Sequence, residues 1–174
     1  VPDSGMPGVD WETCMTMNTT WGYSRHDHAW KSSATLIQTL VDIVSKGGNY
    51  LLNIGPLGDG SIPLESVERM EAVGRWMAVN GESIMACGAA GINKPEWGRV
   101  TKSNDQQRLY LHVFDWPADG KIELEGDLGD VTEARFLDGE AAIPFTQDDA
   151  SLTLATTAER PDATVTVIRL QIAK

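Results

Sequence analysis

The feature that most constrains the fold is a change of hydrophobic period near Gly81. Before it, two short apolar runs alternate with two helical patterns. Trp11 to Met17 has the β-branched and aromatic content of a short strand, and Asn18 to Trp30 reads as loop. Ser32 or Ser33 can cap a helix in which Leu36, Ile37, Leu40, Val41, Ile43 and Val44 recur at helical spacing, and Gly47 stands where a left-handed residue ends it. Tyr50 to Ile54 is a second strand, closed by Pro56. A second helix opens near Pro63, with Glu65 in its first turn and Asn80-Gly81 as its stop. Its expected buried stripe is Val67, Met70, Val73, Trp76 and Met77. Strand–helix–strand–helix is the repeat of an α/β protein with parallel strands.

After Gly81 the texture is all-β. Arg108–Asp115, Lys121–Leu124, Val131–Leu137, Leu152–Ala155 and Ala163–Ile172 alternate in hydrophobicity and are separated by turns with Gly, Asp or Pro, without an intervening helix. A small antiparallel β-sandwich is expected. The division falls into residues 1–80 and 81–174, with Gly81, Gly88 and Gly91 loosening the boundary, and the Pro- and Gly-rich residues 1–10 form an entering loop. Two strand–helix units cannot close a (β/α)8 barrel, which needs eight strands. The first part is therefore a small open α/β domain or the tail of a truncated barrel.

The formal net charge of −11 argues against a nucleic-acid partner, which needs clustered Lys and Arg. No apolar run approaches the length of a membrane span, so no membrane partner is expected. Cys14 and Cys87 are the only cysteines, and both are expected to be free thiols, because 174 residues bury a core without a staple. The first residue is Val1 rather than Met, so the natural N-terminus is expected upstream and the missing signal peptide says nothing about export.

The run Trp11-Glu12-Thr13-Cys14-Met15-Thr16-Met17-Asn18-Thr19-Thr20-Trp21-Gly22-Tyr23 places a carboxylate beside one indole and a second indole in a glycine-marked turn. Flat apolar faces suit the C–H side of a sugar ring, and acids suit its hydroxyls or glycosidic oxygen. Further on come Lys46-Gly47-Gly48-Asn49-Tyr50-Leu51-Leu52-Asn53-Ile54-Gly55-Pro56 and Gly58-Asp59-Gly60. In order and spacing these segments resemble the closing part of the catalytic barrel of the retaining α-L-fucosidases, glycoside hydrolase family 29. The resemblance covers roughly the first half of the chain. It selects the truncated barrel: a C-terminal portion of a (β/α)8 TIM barrel followed by an antiparallel β-sandwich.

The resemblance implies several further expectations. The parent is an exo-acting enzyme that removes terminal fucose from fucosylated glycans or fucosides through a covalent fucosyl-enzyme, without cofactor or metal. Trp21 matches the aromatic position that lines the pocket around the fucose C6 methyl; packing of the loop against the barrel rim is the alternative. Glu12 is a candidate catalytic acid/base; the alternative is a buried acid holding neighbouring hydroxyls or an Arg, with the acid/base on a loop upstream. The nucleophile, an Asp on an earlier barrel strand, is absent. This chain alone, without its N-terminal barrel partner, is therefore expected to be inactive. Family members commonly act outside the cytoplasm, so the implied parent is secreted or periplasmic.

Other motifs read more plainly. His26-Asp27-His28 lacks a third and fourth metal ligand, since His112 lies in the other half, so it is expected to be a hydrogen-bonding loop. Asn18-Thr19-Thr20 is a formal glycosylation sequon, treated as accidental beside a substrate loop. Gly55–Gly60 lacks the Gly-Lys-Ser/Thr ending of a phosphate loop. Trp97, Tyr110 and Trp116 are either core or a sugar-binding face, which would make the β-module a non-catalytic carbohydrate-binding unit; core packing is the expectation.

Overall fold

The computed structural model describes residues 1–6, 8–157 and 159–173, so Pro7 of the entering loop lies outside the described residues. Strand β1 (Glu12–Thr16) and strand β2 (Asn49–Asn53) pair in parallel, Glu12 opposite Asn49 and Thr16 opposite Asn53. Helix α1 (Ser33–Ser45) joins them and helix α2 (Leu64–Asn80) follows. Ser32 Oγ accepts from Thr35 N–H and caps α1. At the other end Gly47, at φ +76°, donates to Val44 O while Gly48 donates to Ile43 O, which satisfies two of the last helical carbonyls. Pro63 precedes α2 and accepts from the N–H groups of Ser66 and Val67. Gly81 does not end α2 in a left-handed turn; at φ −59° it carries the chain into a 3-10 turn, Gly81–Ser83.

Gly48 fixes how β1 and β2 meet. A Cβ there would stand 2.4 Å from the Trp11 ring, so the indole lies against bare backbone. Asn49 N–H then donates to Trp11 O, one residue before the parallel pairing begins.

The rest is antiparallel. Strands β3 (Cys87–Ala89), β4 (Gly98–Ser103), β5 (Arg108–Val113), β7 (Val131–Phe136) and β10 (Thr166–Ile172) form one sheet in the order β3-β4-β5-β10-β7. Strands β6 (Lys121–Glu125), β8 (Phe145–Gln147) and β9 (Ser151–Ala155) form a second, in the order β6-β9-β8. Leu109, Leu111, Val113, Ile168 and Leu170 of the larger sheet meet Ile122, Leu124, Leu152 and Leu154 of the smaller in one core. This is a β-sandwich, as expected. Strands β3, β4 and β8 are additions to the expected set: β3 and β8 are three residues long, and β4 presents little alternation.

The larger sheet is covered on both faces. Tyr110 and Val167 point away from the sandwich core and pack with Ile37, Val41 and Val44 of α1 and Trp76 of α2. Asp42 adds a polar tie, accepting from Arg99 Nε on β4 at 2.5 Å and from Lys46 Nζ at 2.8 Å. Burial raises the Asp42 pKa, but these two cations outweigh it and hold the carboxyl below its usual range. The expected α2 stripe needs correction: Trp76 is buried, Val67, Val73 and Met77 are half-buried, and Met70 is 41% exposed. No described helix is long and apolar enough to cross a membrane.

His112 sits at the junction of helices and sheet, fully buried. Thr101 Oγ1 donates to Ser83 O, so it accepts from His112 Nε2–H at 3.0 Å, and Nδ1 is left without a partner. Burial pushes the imidazole down from 6.5 to about 3. The unfolded chain therefore binds the extra proton between those values, and stability falls as pH is lowered through that window. Urea titrations from pH 7 to 5 should show the folding constant dropping by up to about tenfold per unit, and His112→Asn should flatten that slope. An equal slope in the variant would contradict this account.

Candidate active-site face

The loops that follow β1 and β2 emerge at the same end of the parallel pair and touch. The first, residues 18–30, is closed at its neck by Lys31: its N–H donates to Met17 O at 2.8 Å, and its Nζ donates to Thr16 O and Asn18 O at 2.7 Å each. Asp27 ties the interior. Its Oδ2 accepts from Thr19 N–H at 2.9 Å and Thr19 Oγ1 at 2.6 Å, and its Oδ1 accepts from Ala29 N–H at 3.1 Å. The Thr19 bonds, with smaller help from Ala29 and Thr20, hold its carboxyl down at about 2.

Trp21 lies on this loop with its side chain largely in solvent, the residue being 58% exposed. Its backbone is fixed from the neighbouring strand, because Asn53 Nδ2, at the C-terminal end of β2, donates to Trp21 O at 2.6 Å. Gly55 permits the close approach: a Cβ there would stand 2.7 Å from Gly22 C and from Tyr23 N. The second loop is a self-contained turn in which Asp59 Oδ1 accepts from Ser61 N–H and Oγ, so its glycines serve the turn rather than a phosphate. A cavity of about 170 Å³ opens between the loops, lined by Tyr23, Arg25, His28, Trp30, Leu57 and Glu65 among others. Arg69 braces its wall, with Cζ 5.5 Å from the Trp30 ring centroid and Nε donating to Lys31 O.

Glu12 lies elsewhere. It is the first residue of β1, and the strand runs about 13 Å, at roughly 3.3 Å per residue, before the Trp21 loop begins. Its carboxylate is exposed and accepts from Cys14 Sγ at 3.3 Å, which, ahead of desolvation and charge, pushes the thiol pKa up. Glu12 and Trp21 are thus at opposite ends of one strand and do not converge.

The remaining candidates resolve simply. His26 and His28 are exposed, and among the described residues no group of three or more His, Cys, Asp and Glu is placed to hold a metal. Asn18 is 8% exposed, which leaves no room for a glycan on the sequon. Tyr110 faces the helices, whereas Trp97 and Trp116 pack against the sandwich core and donate to Glu123 O and Thr157 O. The three form no common platform. Cys14 and Cys87 are free. Asp27 makes the hydrogen bonds expected of its loop, though sequence reasoning did not single it out; that reasoning missed Asn53 as an anchor and Lys31 as the neck. Their bonds span 8 to 32 residues and leave no periodic trace.

Parallel strands that deliver interlocked loops to one end, with helices on one side, are the local arrangement of an α/β enzyme face. A sequence model of the family described as α-L-fucosidase matches residues 2–82. The tissue α-L-fucosidase of Rattus norvegicus is 34% identical over 171 residues, covering 93% of this chain and 36% of that protein. The Homo sapiens tissue enzyme is 37% identical over 134 residues, covering 71% of this chain and 27% of its own length. Among solved structures, α-L-fucosidase isoenzyme 1 from Paenibacillus thiaminolyticus superposes with a TM-score of 0.90 at 39% identity, covering 100% of this chain and 44% of that one. A family 29 enzyme from Bacteroides thetaiotaomicron, trapped as a covalent intermediate, gives 0.89 at 28% identity over 100% of this chain and 41% of that one. The chain belongs to the α-L-fucosidase family, glycoside hydrolase family 29. It spans about a third of the length of the curated relatives it matches.

If the loops interlock as described, Gly55→Ala should cost about 1–3 kcal/mol, the range for forcing a methyl into packed backbone. Denaturant midpoints measure this, and an unchanged midpoint would mean that the two loops do not touch.

Proposed function

We propose that this chain is the C-terminal part of a retaining α-L-fucosidase. Residues 1–80 supply the last two strand–helix units of its (β/α)8 barrel, and residues 81–174 form the β-sandwich domain that caps it. The rest of the barrel, with the Asp nucleophile, comes from a preceding N-terminal part. The whole enzyme removes terminal α-L-fucosyl groups by double displacement: the nucleophile displaces the leaving group, and water then releases fucose. The family, and the covalent intermediate trapped in the Bacteroides thetaiotaomicron relative, support this chemistry. On its own the chain hydrolyses nothing.

The barrel reading draws support from the bare face of the parallel pair. Glu12, Cys14, Asn49 and Leu51 are exposed on one side, Leu51 at 48%, whereas Trp11 and Met17 on the other side are buried. Inward-pointing side chains in such barrels are packed by the other strands. The observation that carries the substrate reading is the exposed Trp21 indole on a loop anchored at the C-terminal ends of both strands. An indole face rewards the fucose C6 methyl and offers nothing to a hydroxyl. In the full-length protein, Trp21→Ala should lower kcat/KM on an aryl α-L-fucoside by about 10-fold or more, the value of one well-packed methyl. Unchanged kinetics would remove Trp21 from the pocket.

Glu12 has two roles open to it, and its place favours the second. As acid/base it would need to reach the glycosidic oxygen; from the start of β1 it stands a strand's length from the substrate loops. We assign it to the barrel lining as a positioning carboxylate, with the acid/base on an upstream loop. Glu12→Gln should then keep the basic limb of the pH–rate profile and lose less than the roughly 100-fold that removal of a general acid costs. Loss of that limb together with a larger drop would restore the catalytic role.

A further inference from the structure

We propose that Asp27 is a positioning residue for the Trp21 indole and thereby sets discrimination between a sugar with a C6 methyl and one with a C6 hydroxymethyl. The inference rests on the placement of Trp21 in the substrate pocket. Trp21 is held on both sides by residues that Asp27 organises. Thr19 gives Asp27 both its N–H and its hydroxyl, and Thr20 Oγ1 stands 3.3 Å from the same carboxylate oxygen while donating to Gly22 O at 2.9 Å. The second carboxylate oxygen takes Ala29 N–H, so the turn is tied from residue 19 to residue 29 through one side chain.

Both oxygens are occupied within the loop. The indole itself makes no hydrogen bond within the described structure, so its orientation is set by the backbone beneath it. With its pKa lowered to about 2, the carboxyl stays ionised through the range where an ordinary aspartate takes up its proton, and the tie persists there. A displacement of about 1 Å in a substrate-contacting group is enough to change rates strongly.

The test compares kcat/KM for an aryl α-L-fucoside with that for the matching aryl α-L-galactoside, the same sugar carrying a C6 hydroxyl, in the full-length protein. Trp21→Ala should collapse the ratio, and Asp27→Asn should lower it by about threefold or more in the same direction, within the range that one methyl contact commands. Thr19→Val deletes the 2.6 Å bond at an exposed position and should lower the ratio less. The double variant Asp27→Asn/Trp21→Ala should show no further loss beyond Trp21→Ala alone. A ratio moved by Trp21→Ala but by neither Asp27→Asn nor Thr19→Val overturns this inference and leaves the substrate reading intact. A ratio unmoved by Trp21→Ala overturns the substrate reading itself. Should Asp27→Asn fail to fold, the Thr19→Val ratio decides.

Discussion

The structure depends on the five-stranded sheet being covered on both faces. Its strands β5 and β10 turn Leu109, Leu111, Ile168 and Leu170 toward the small sheet and Tyr110 and Val167 toward the helices. Neither face can be left open without exposing a continuous apolar surface, so the helices are held by the sheet as firmly as the sheet is held by the helices. Trp76 joins the layers twice, through its ring in the core and through Nε1–H to Val165 O. The Asp42–Arg99 pair adds direction to a contact that apolar packing alone would leave free to rotate.

This layering explains what could be read from the sequence and what could not. Helix α1 was legible at both ends because its determinants are local: the Ser32 cap and the Gly47-Gly48 terminator act within five residues. The parallel pairing followed from the strand–helix repeat. β5 was found as a strand, but its second covered face was not foreseen, since Tyr110 and His112 interrupt what would otherwise read as alternation against solvent. The β3 strand was hidden because Gly88 reads as a break, although paired opposite Lys102 it is ordinary sheet. Met70 was misplaced because helical spacing identifies a face without saying how wide the covering surface is.

At the site, legibility was uneven for the same reason. Trp21 was visible as an aromatic in a glycine-marked turn, and the structure leaves its side chain available. The groups that fix it were invisible, since Asp27 and Asn53 act across the loop and across strands. Glu12 shows the opposite hazard: nearness in sequence to the Trp21 loop became separation in space, because five extended residues span about 13 Å.

The contact between Trp11 and Gly48 has a consequence for how the parallel pair can assemble. The ring rests on Gly48, which carries no side chain, and a shift of β2 by one residue in the direction that replaces Gly48 with Asn49 would bring a side chain beneath the indole. The same slip would turn Leu51 and Leu52 to each other's sides of the sheet. The tryptophan thus behaves as a ratchet stop, barring the slip that would carry Asn49 under it.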